Sequence, residues 1–259
     1  MKVVILCGGK GTRLKETSGT IPKALVEVGG RPILWHIMKI YSAYGFSEFI
    51  LCLGHKGQMI KEYFMESESW RCQDFELSHH EGRPEVRLLN DQPQNWKITF
   101  ADTGEETPTG GRIKKIEPLI QEDIFMVTYG DGVSNIDITK LLEFHKRHGK
   151  TGTVTAVSPS SQFGLLDIRD DDQVASFREK PKVDQWINGG FFIFNKEFFK
   201  CLHTDDVLEQ APLENLAKSG ELKAFRHKAY WQCLDTYKDT LALNELWAGA
   251  KPPWKIWND

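Results

Sequence analysis

The chain has no long apolar run, no large excess of one charge and no recognisable leader. No window of about 18 consecutive apolar residues occurs, so the sequence predicts no membrane-spanning helix. The formal net charge of −3 argues against nucleic acid or an anionic membrane as the main partner. The first residues pass directly into an apolar strand without the pattern of a secretory signal, so we expect a cytoplasmic protein.

Cysteine is also scarce and carries no motif. The five cysteines are scattered, and no two of them form a CxxC pair, so the sequence indicates neither a zinc site nor a disulfide framework. Internal repeats and low-complexity stretches are missing as well. The 259 residues are 40% hydrophobic, which is enough to build the core of one large α/β domain.

What the chain does have is a regular alternation of short apolar runs and helical patterns. Continuous apolar runs of this length are typical of parallel strands that are buried on both faces. The order predicts right-handed crossovers and a parallel sheet. We predict strands at residues 3–7, 49–53, 125–129, 152–157, 191–194, 223–227 and 230–234, and helices at 33–44, 57–64, 138–148, 213–218 and 240–247.

We expect a single domain over residues 1–259. Residues 66–112 are polar, aromatic and irregular, which favours an insertion rather than a sheet element. Residues 195–259 would form a small C-terminal β/α portion on one side of the site, with a role in oligomerisation. The aromatic tail with Trp254 and Trp257 and the 66–112 segment are candidate interfaces, because exposed large aromatic side chains usually need to be covered.

A glycine-rich turn follows the first predicted strand. Gly8, Gly9 and Gly11 allow backbone N–H groups to crowd around an anion without side-chain clashes. Arg13 and Lys23 add two cations nearby. The spacing differs from that of a P-loop and from that of a dinucleotide-binding turn. Together these residues predict a site for a nucleoside triphosphate whose phosphates are to be separated.

Two carboxylates follow other predicted strands. Asp131 lies between two glycines after the strand at 125–129, and Asp235 follows the strand at 230–234. Ligands of open α/β sheets bind beyond the carboxyl ends of the strands, where both side chains would meet. With triphosphate oxygens they would form a Mg²⁺ site. The alternative interpretation of Asp131 is a structural aspartate that caps a turn.

These segments together resemble the sugar-1-phosphate nucleotidylyltransferases. The resemblance starts at the glycine turn, residues 8–14, with Pro22-Lys23, and it covers nearly the whole chain. Within the family the cytidylyltransferase branch is the most similar, because of the Thr109-Gly110-Gly111-Arg112 segment and the Pro253-Trp254-Lys255 tail. The other matching segments are residues 29–38, 57–64, 102–104, 128–132, 177–181, 187–192, 231–232 and 234–236.

The resemblance implies a fold and a set of nucleotide-binding residues. The fold would be Rossmann-like, a mostly parallel mixed sheet flanked by helices, of the nucleotide-diphospho-sugar transferase type. Arg13 would contact the β- and γ-phosphates of CTP and Lys23 the α-phosphate, and both would be catalytic together with Asp131. The residues implied to bind CTP are Leu6, Cys7, Gly8, Gly9, Gly11, Thr12, Arg13, Lys23, Thr107, Arg112 and Gly130.

The second substrate would be glucose 1-phosphate. The resemblance implies that Lys180 binds its phosphate and that Glu179, Asn188 and Gly189 bind the sugar hydroxyls. Lys180 could instead be an ordinary solvated lysine, and Asn188-Gly189-Gly190 a simple turn. Mg²⁺, held by Asp131 and Asp235, would be the cofactor, and the protein would be a homo-oligomer.

The implied reaction gives CDP-glucose and pyrophosphate by direct in-line displacement. Because both substrates are polyanions, catalysis would consist mainly of positioning and charge neutralisation. Two alternatives stay open: another nucleotide such as UTP or dTTP, or another sugar 1-phosphate, and an inactive nucleotide-sugar-binding regulator. Cys7 and Cys233 depart from the family pattern, and Cys233 lies two residues from Asp235.

Overall fold

The computed structural model describes residues 1–9, 11, 21–66, 75–80, 82–89, 94–158, 163–179, 185–249 and 251–258. In chain order its strands are β1 (Lys2–Leu6), β2 (Glu27–Val28), β3 (Arg31–Pro32), β4 (Glu48–Leu53), β5 (Phe75–His80), β6 (Arg83–Leu88), β7 (Lys97–Asp102), β8 (Ile124–Tyr129), β9 (Gly132–Ser134), β10 (Gly152–Val157), β11 (Leu165–Ile168), β12 (Val174–Arg178), β13 (Ile187–Asn188), β14 (Phe192–Asn195), β15 (Leu222–His227) and β16 (Trp231–Cys233).

Its α-helices are α1 (Ile33–Ser42), α2 (Gly57–Glu66), α3 (Thr109–Lys115), α4 (Ile138–His148), α5 (Ala211–Lys218) and α6 (Tyr237–Ala248), and short 3-10 turns cover Lys23–Leu25, Glu117–Leu119 and Lys196–Cys201. Local chemistry fixes several ends. Asp137 caps α4 by accepting from the Lys140 N–H, and Gly149, at φ 63°, ends it. Thr236 and Asp239 form a capping box at α6.

An eight-stranded mixed sheet organises these elements. The strand order is β13-β10-β14-β8-β1-β4-β7, and β15 pairs with β10. Strands β8, β1, β4 and β7 run parallel to one another, whereas β14 runs antiparallel to both β8 and β10. The predicted mostly parallel mixed sheet flanked by helices is therefore confirmed.

The sheet separates two hydrophobic cores. Successive side chains of a strand point to opposite faces, so Val3 and Ile5 pack into one core and Val4 and Leu6 into the other. All four are buried, which explains the unbroken apolar run of β1. None of the described helices is long and apolar enough to cross a membrane.

The prediction that residues 66–112 lack sheet elements is wrong. The described part of this stretch contains the β5–β6 hairpin, β7 and the start of α3. Strand β7 pairs in parallel with β4 at the edge of the central sheet. Its central residues are only half-buried and its two ends are exposed, so its sequence lacks the apolar run of a central strand.

The aromatic tail does not form an exposed surface. Trp254 is fully buried, and Trp257 is 8% exposed. Their rings lie within about 6 Å of those of His36, Trp35 and Trp247, in α1 and α6. The expectation of an exposed aromatic tail was wrong because the same chain already covers it.

Candidate active site

The glycine turn after β1 lies at the carboxyl edge of the parallel strands. The Gly130 N–H donates to the Leu6 carbonyl at 3.1 Å, and the Cys7 N–H donates to the Cys52 carbonyl at 3.0 Å. Backbone bonds therefore hold the turn between the ends of β8 and β4. Cys7 is buried, and burial together with the charges of Cys52 and Asp131 raises the pKa of its thiol well above the ordinary value.

A buried arginine packs directly against this turn. Arg112, in α3, is 4% exposed, and a Cβ atom added to Gly8 would lie 2.1 Å from its guanidinium carbon. Gly8 is thus required by close packing, because any side chain at this position would collide with Arg112. The guanidinium donates to five neutral oxygen atoms at 2.7–3.1 Å: the carbonyls of Gly8, Leu53, Gly104 and Glu105 and the hydroxyl of Thr103.

Arg112 therefore serves the protein's own backbone. Its donors join the glycine turn, the end of β4 and the loop that leads to α3, which come from three separate parts of the sequence. Burial lowers the pKa of the guanidinium below its ordinary value. The resemblance implies that Arg112 binds the nucleotide; in the structure its guanidinium lines the cavity and donates to oxygen atoms of the surrounding loops.

A cavity of about 400 Å³ opens beside the turn. Every described residue that is predicted to bind the nucleotide lies in its lining. Thr12 and Arg13, which belong to the same prediction, lie outside the described residues. The cavity is lined by Leu6, Cys7, Gly8, Gly9, Gly11, Lys23, Ala24, Glu105, Glu106, Thr107, Pro108, Thr109, Arg112, Tyr129, Gly130 and Asp131.

Lys23 lies between two carboxylates at the floor of this cavity. Its ammonium nitrogen is 2.5 Å from Asp131 Oδ2 and 2.5 Å from Asp235 Oδ1. Burial by itself would lower the pKa of Lys23, but the two carboxylates outweigh it and raise that pKa above its ordinary value. The lysine therefore carries a full positive charge at neutral pH.

The pairing of β9 with β16 brings the two carboxylates together. Gly132 lies opposite Cys233 in this antiparallel ladder, and the Leu234 N–H donates to the Asp131 carbonyl at 2.8 Å. One ligand atom each of Asp131, Cys233 and Asp235 lies within 4.8 Å of the others. Sequence alone predicted this convergence from the strand ends.

The donor set fits a hard divalent cation through its carboxylates. Mg²⁺ takes oxygen ligands and is commonly held by one or two carboxylates with substrate phosphates. Burial and the negative charge of Asp131 raise the pKa of Cys233 above its ordinary value. Asp131 and Asp235 therefore supply the oxygen ligands that such a cation prefers, with the Cys233 sulfur beside them.

A second cavity, of about 290 Å³, adjoins the first and shares Tyr129 and Asp131 with it. Two of the residues predicted to bind the sugar, Asn188 and Gly189, lie in its wall. The Trp231 indole N–H donates to the Gly189 carbonyl at 2.8 Å and fixes that wall. The full lining is Thr128, Tyr129, Asp131, Gly132, Asn188, Gly189, Phe191, Trp231, Cys233 and Asp235.

The other two sugar-site predictions have different outcomes. Glu179 follows β12 and lies beside Gly164, and it is not among the lining residues of these two cavities. Lys180 lies outside the described residues. Sequence reasoning missed Tyr129 as a site residue, although it directly precedes the Gly-Asp-Gly motif and contacts both cavities.

Known proteins are similar to this chain over nearly its whole length. The chain is 47% identical to a probable glucose-1-phosphate cytidylyltransferase of Bacillus subtilis, over 99% of this chain and 100% of that protein. It is 48% identical to a glucose-1-phosphate cytidylyltransferase of Salmonella typhimurium, with the same coverage of both chains. The crystal structure of HddC from Yersinia pseudotuberculosis superposes with a TM-score of 0.69 at 29% identity, covering 95% of this chain and 99% of that one.

The family match covers all the strands and helices of the structure. Residues 2–251 match the family described as Nucleotidyl transferase, and this range includes β1, the glycine turn, both carboxylates and both cavities. Because the match covers nearly the whole chain, and because relatives near 47% identity span its full length, this protein belongs to the nucleotidyl transferase family.

Proposed function

We propose that the protein transfers the cytidylyl group of CTP to α-D-glucose 1-phosphate, giving CDP-glucose and pyrophosphate. The observation that carries the proposal is the meeting of two cavities at Asp131, with Lys23 and Asp235 beside it. One cavity begins at a glycine turn, and the other is lined by an amide and by aromatic rings. The relatives from Bacillus subtilis and Salmonella typhimurium carry the corresponding names.

The nucleotide would bind in the larger cavity. Gly8, Gly9 and Gly11 carry no side chains, so their backbone N–H groups could approach the triphosphate closely. Lys23 would neutralise the α-phosphate as negative charge builds up during displacement. From the resemblance, we assign Arg13 and Thr12 to the same triphosphate.

The sugar phosphate would bind in the smaller cavity. Asn188 and Gly189 offer neutral contacts for sugar hydroxyls. From the resemblance, we assign Lys180 to the sugar phosphate and Glu179 to a hydroxyl. Because Asp131 borders both cavities, the phosphate oxygen of one substrate and the α-phosphorus of the other would meet beside Lys23.

Asp131 and Asp235 would hold the divalent ion that this family generally uses, and we propose Mg²⁺. When bound, the ion would offset phosphate charge. The chain's own residues do the rest: Lys23 balances the two carboxylates, and the cavity walls hold the reacting groups in line. The proposal needs no covalent enzyme intermediate, since one substrate phosphate displaces pyrophosphate from the other.

Pyrophosphate release tests the function directly. CTP, UTP, dTTP and GTP would each be offered with glucose 1-phosphate and Mg²⁺, and then CTP with several sugar 1-phosphates. We expect the highest kcat/KM for CTP with glucose 1-phosphate. A higher value for another pair would reassign the substrates, and no turnover with any pair would favour a binding or regulatory protein.

We also propose that residues 1–259 act as one domain, in a cytoplasmic homo-oligomer without a nucleic-acid or membrane partner. The hairpin β11–β12 supports the oligomer, because it exposes Leu166, Ile168 and Phe177 by half or more. Two-stranded hairpins with uncovered apolar side chains are marginal by themselves. Light scattering during size-exclusion chromatography should give a mass above the 29.7 kDa of one chain, whereas a mass of one chain would contradict the proposal.

A further inference from the structure

A carboxylate that lines neither cavity accepts a hydrogen bond from Tyr129, one of the two residues that both cavities share. Glu209 precedes α5, and its Oε1 is 2.5 Å from the hydroxyl of Tyr129, at the end of β8. Its Oε2 accepts from the hydroxyl of Thr109, at the start of α3, at 2.8 Å. The Glu209 side chain thus links Tyr129, which borders both cavities, to Thr109 in the wall of the nucleotide cavity.

Only one assignment of donors and acceptors fits the hydrogen bonds that link Glu209, Tyr129 and Asn188. A carboxylate only accepts, so the single proton of the Tyr129 hydroxyl goes to Glu209. The tyrosine oxygen must then accept from Asn188, whose Nδ2 lies 3.1 Å away. Asn188 Oδ1 accepts from the Gly190 N–H at 2.9 Å. Every partner of the amide is consistent with one orientation.

Tyr129 keeps the proton that this arrangement requires. Burial and the negative charge of Glu209 both raise the pKa of its phenol above the ordinary value. An asparagine amide can otherwise turn by half a rotation with little change in shape, which exchanges its donor and its acceptor. A fixed tyrosine proton removes that freedom.

The segment that carries Glu209 is itself held rigidly against α3. The Gly111 N–H donates to the Asp206 carbonyl at 3.0 Å, and the Leu208 N–H donates to the Thr109 hydroxyl at 2.9 Å. A Cβ atom added to Gly111 would lie 2.1 Å from the Thr204 carbonyl oxygen. The close approach places the carboxylate before any substrate arrives.

We propose that Glu209 is a positioning residue for the sugar phosphate: through Tyr129 it fixes the orientation in which Asn188 presents its amide to the smaller cavity. The inference rests on the proposed function, because it assigns that cavity to the sugar. It extends that function by naming Glu209, outside the cavity, as the residue that determines where the Asn188 amide places its donor and its acceptor. Without Glu209, the Tyr129 proton can turn to Asn188, whose amide then flips and loses its bond to Gly190.

Kinetics with both substrates varied tests the proposal. We expect Glu209→Ala to raise the KM for glucose 1-phosphate about tenfold, the effect of misplacing one or two oriented hydrogen bonds. The KM for CTP and kcat should stay within about twofold of wild type. Glu209→Gln should recover most of the loss, because its amide oxygen still accepts from Tyr129.

A double-mutant cycle separates positioning from mere structure. In a Tyr129→Phe background, Glu209→Ala should have no further effect on the KM for the sugar phosphate, because the two residues act through one hydroxyl. The matched control is Glu214→Ala, which removes an exposed carboxylate that pairs with Lys218 on α5. We expect wild-type kinetics from it.

Three results would overturn the proposal: an unchanged KM for the sugar phosphate in Glu209→Ala, additive effects with Tyr129→Phe, or an equal rise in the KM for CTP. If the substrate panel selects another nucleotide and sugar, the proposed function fails, and the same cycle is measured with that pair. If the wild type turns over no pair, the cycle is measured on the Kd for glucose 1-phosphate by calorimetry. Non-additive effects of Glu209→Ala and Tyr129→Phe on that Kd would then support the positioning role without any turnover, and additive effects or no binding would end it.

Discussion

Polar clusters of opposite character lie at the two ends of the strands of the central sheet. At the carboxyl edge of β8, Lys23 balances Asp131 and Asp235, so the cluster consists of full charges. At the opposite strand ends, where Asn195 of β14 lies opposite Ile124 of β8, a hydrogen-bonded cluster of histidines is neutral, and the Lys150–Glu221 ion pair lies beside it. The charged cluster borders both cavities, whereas the described contacts of the neutral one join α4, β10 and β14.

The neutral cluster is a chain of hydrogen bonds through two histidines. His148 Nδ1 accepts from the Lys150 N–H, so its Nε2–H donates to the Thr153 hydroxyl at 2.7 Å. Thr153 in turn donates to His145 Nδ1 at 2.8 Å, and His145 Nε2–H donates to Asn195 at 3.0 Å. Each polar atom of this chain is paired without any charge.

The contrast shows what each edge is adapted for. Partly buried charges are costly unless they are paired, and a site for two polyanions needs them. A neutral network satisfies buried polar atoms at a lower cost in desolvation, and it serves stability alone. Substitutions at the two edges should therefore change different measured quantities.

The largest effect is expected from the charged edge. Lys23→Ala or Asp131→Ala should lower kcat by about 10²–10³, equivalent to roughly 3–4 kcal/mol, the scale of one preorganised electrostatic contact. The matched control is Lys150→Ala, which breaks a lysine–carboxylate pair with Glu221, 2.9 Å apart, at the other edge. We expect its kcat within about twofold of wild type.

Steady-state pyrophosphate release measures this difference, with circular dichroism to check that each variant is folded. Equal losses of kcat in Lys23→Ala and Lys150→Ala would remove the functional distinction between the two edges. A nearly normal kcat in Asp131→Ala would remove the carboxylate from the chemistry.

Arg112 gives the next largest effect, and it sharpens the comparison within the charged edge. Arg112→Met would leave five buried or partly buried oxygen atoms without their donor. We expect a loss of about 3 kcal/mol in the free energy of unfolding and a fall in Tm of roughly 6–12 °C. Arg112→Lys should recover little, because an ammonium cannot reproduce the planar fork.

Thermal unfolding and the KM for CTP, measured on the same variants, distinguish the two roles of this cation. A wild-type Tm together with a large rise in the KM for CTP would mean that Arg112 acts on the nucleotide and not on the backbone. The geometry predicts the reverse order, with stability lost first.

The sequence predicts the central strands because their environment is uniform. β1, β4 and β8 are covered on both faces, so their apolar runs are unbroken. Strand β7 escapes the same reasoning, since an edge strand with half-buried residues needs no such run. The hairpin β11–β12 is even more exposed, and it lacks the pattern of a core strand for the same reason.

The site divides in a similar way. Lys23, Asp131 and Asp235 are predictable because each belongs to a motif or follows a strand. Glu209 is not, because it is an exposed residue outside any periodic element, and its partners are distant in sequence. The five acceptors of Arg112 are carbonyls and a hydroxyl that only the fold assembles, so no residue type announces them.

The smallest predicted effect tests the neutral edge through pH. Burial lowers the pKa of both His145 and His148 below the ordinary 6.5. As the pH falls below about 6.5, the unfolded chain therefore takes up protons before the folded one, and stability is lost. Each histidine contributes at most about 1.4 kcal/mol per pH unit to this slope.

Urea unfolding at a series of pH values between about 7 and 5 would measure that slope. His148→Gln removes one titrating group, so its free energy of unfolding should depend less on pH than that of wild type. His203→Gln, which replaces an exposed histidine, is the control for removing a histidine as such. An unchanged slope in His148→Gln would contradict the neutral network, because a histidine that is already protonated in the fold has no proton to take up as the chain unfolds.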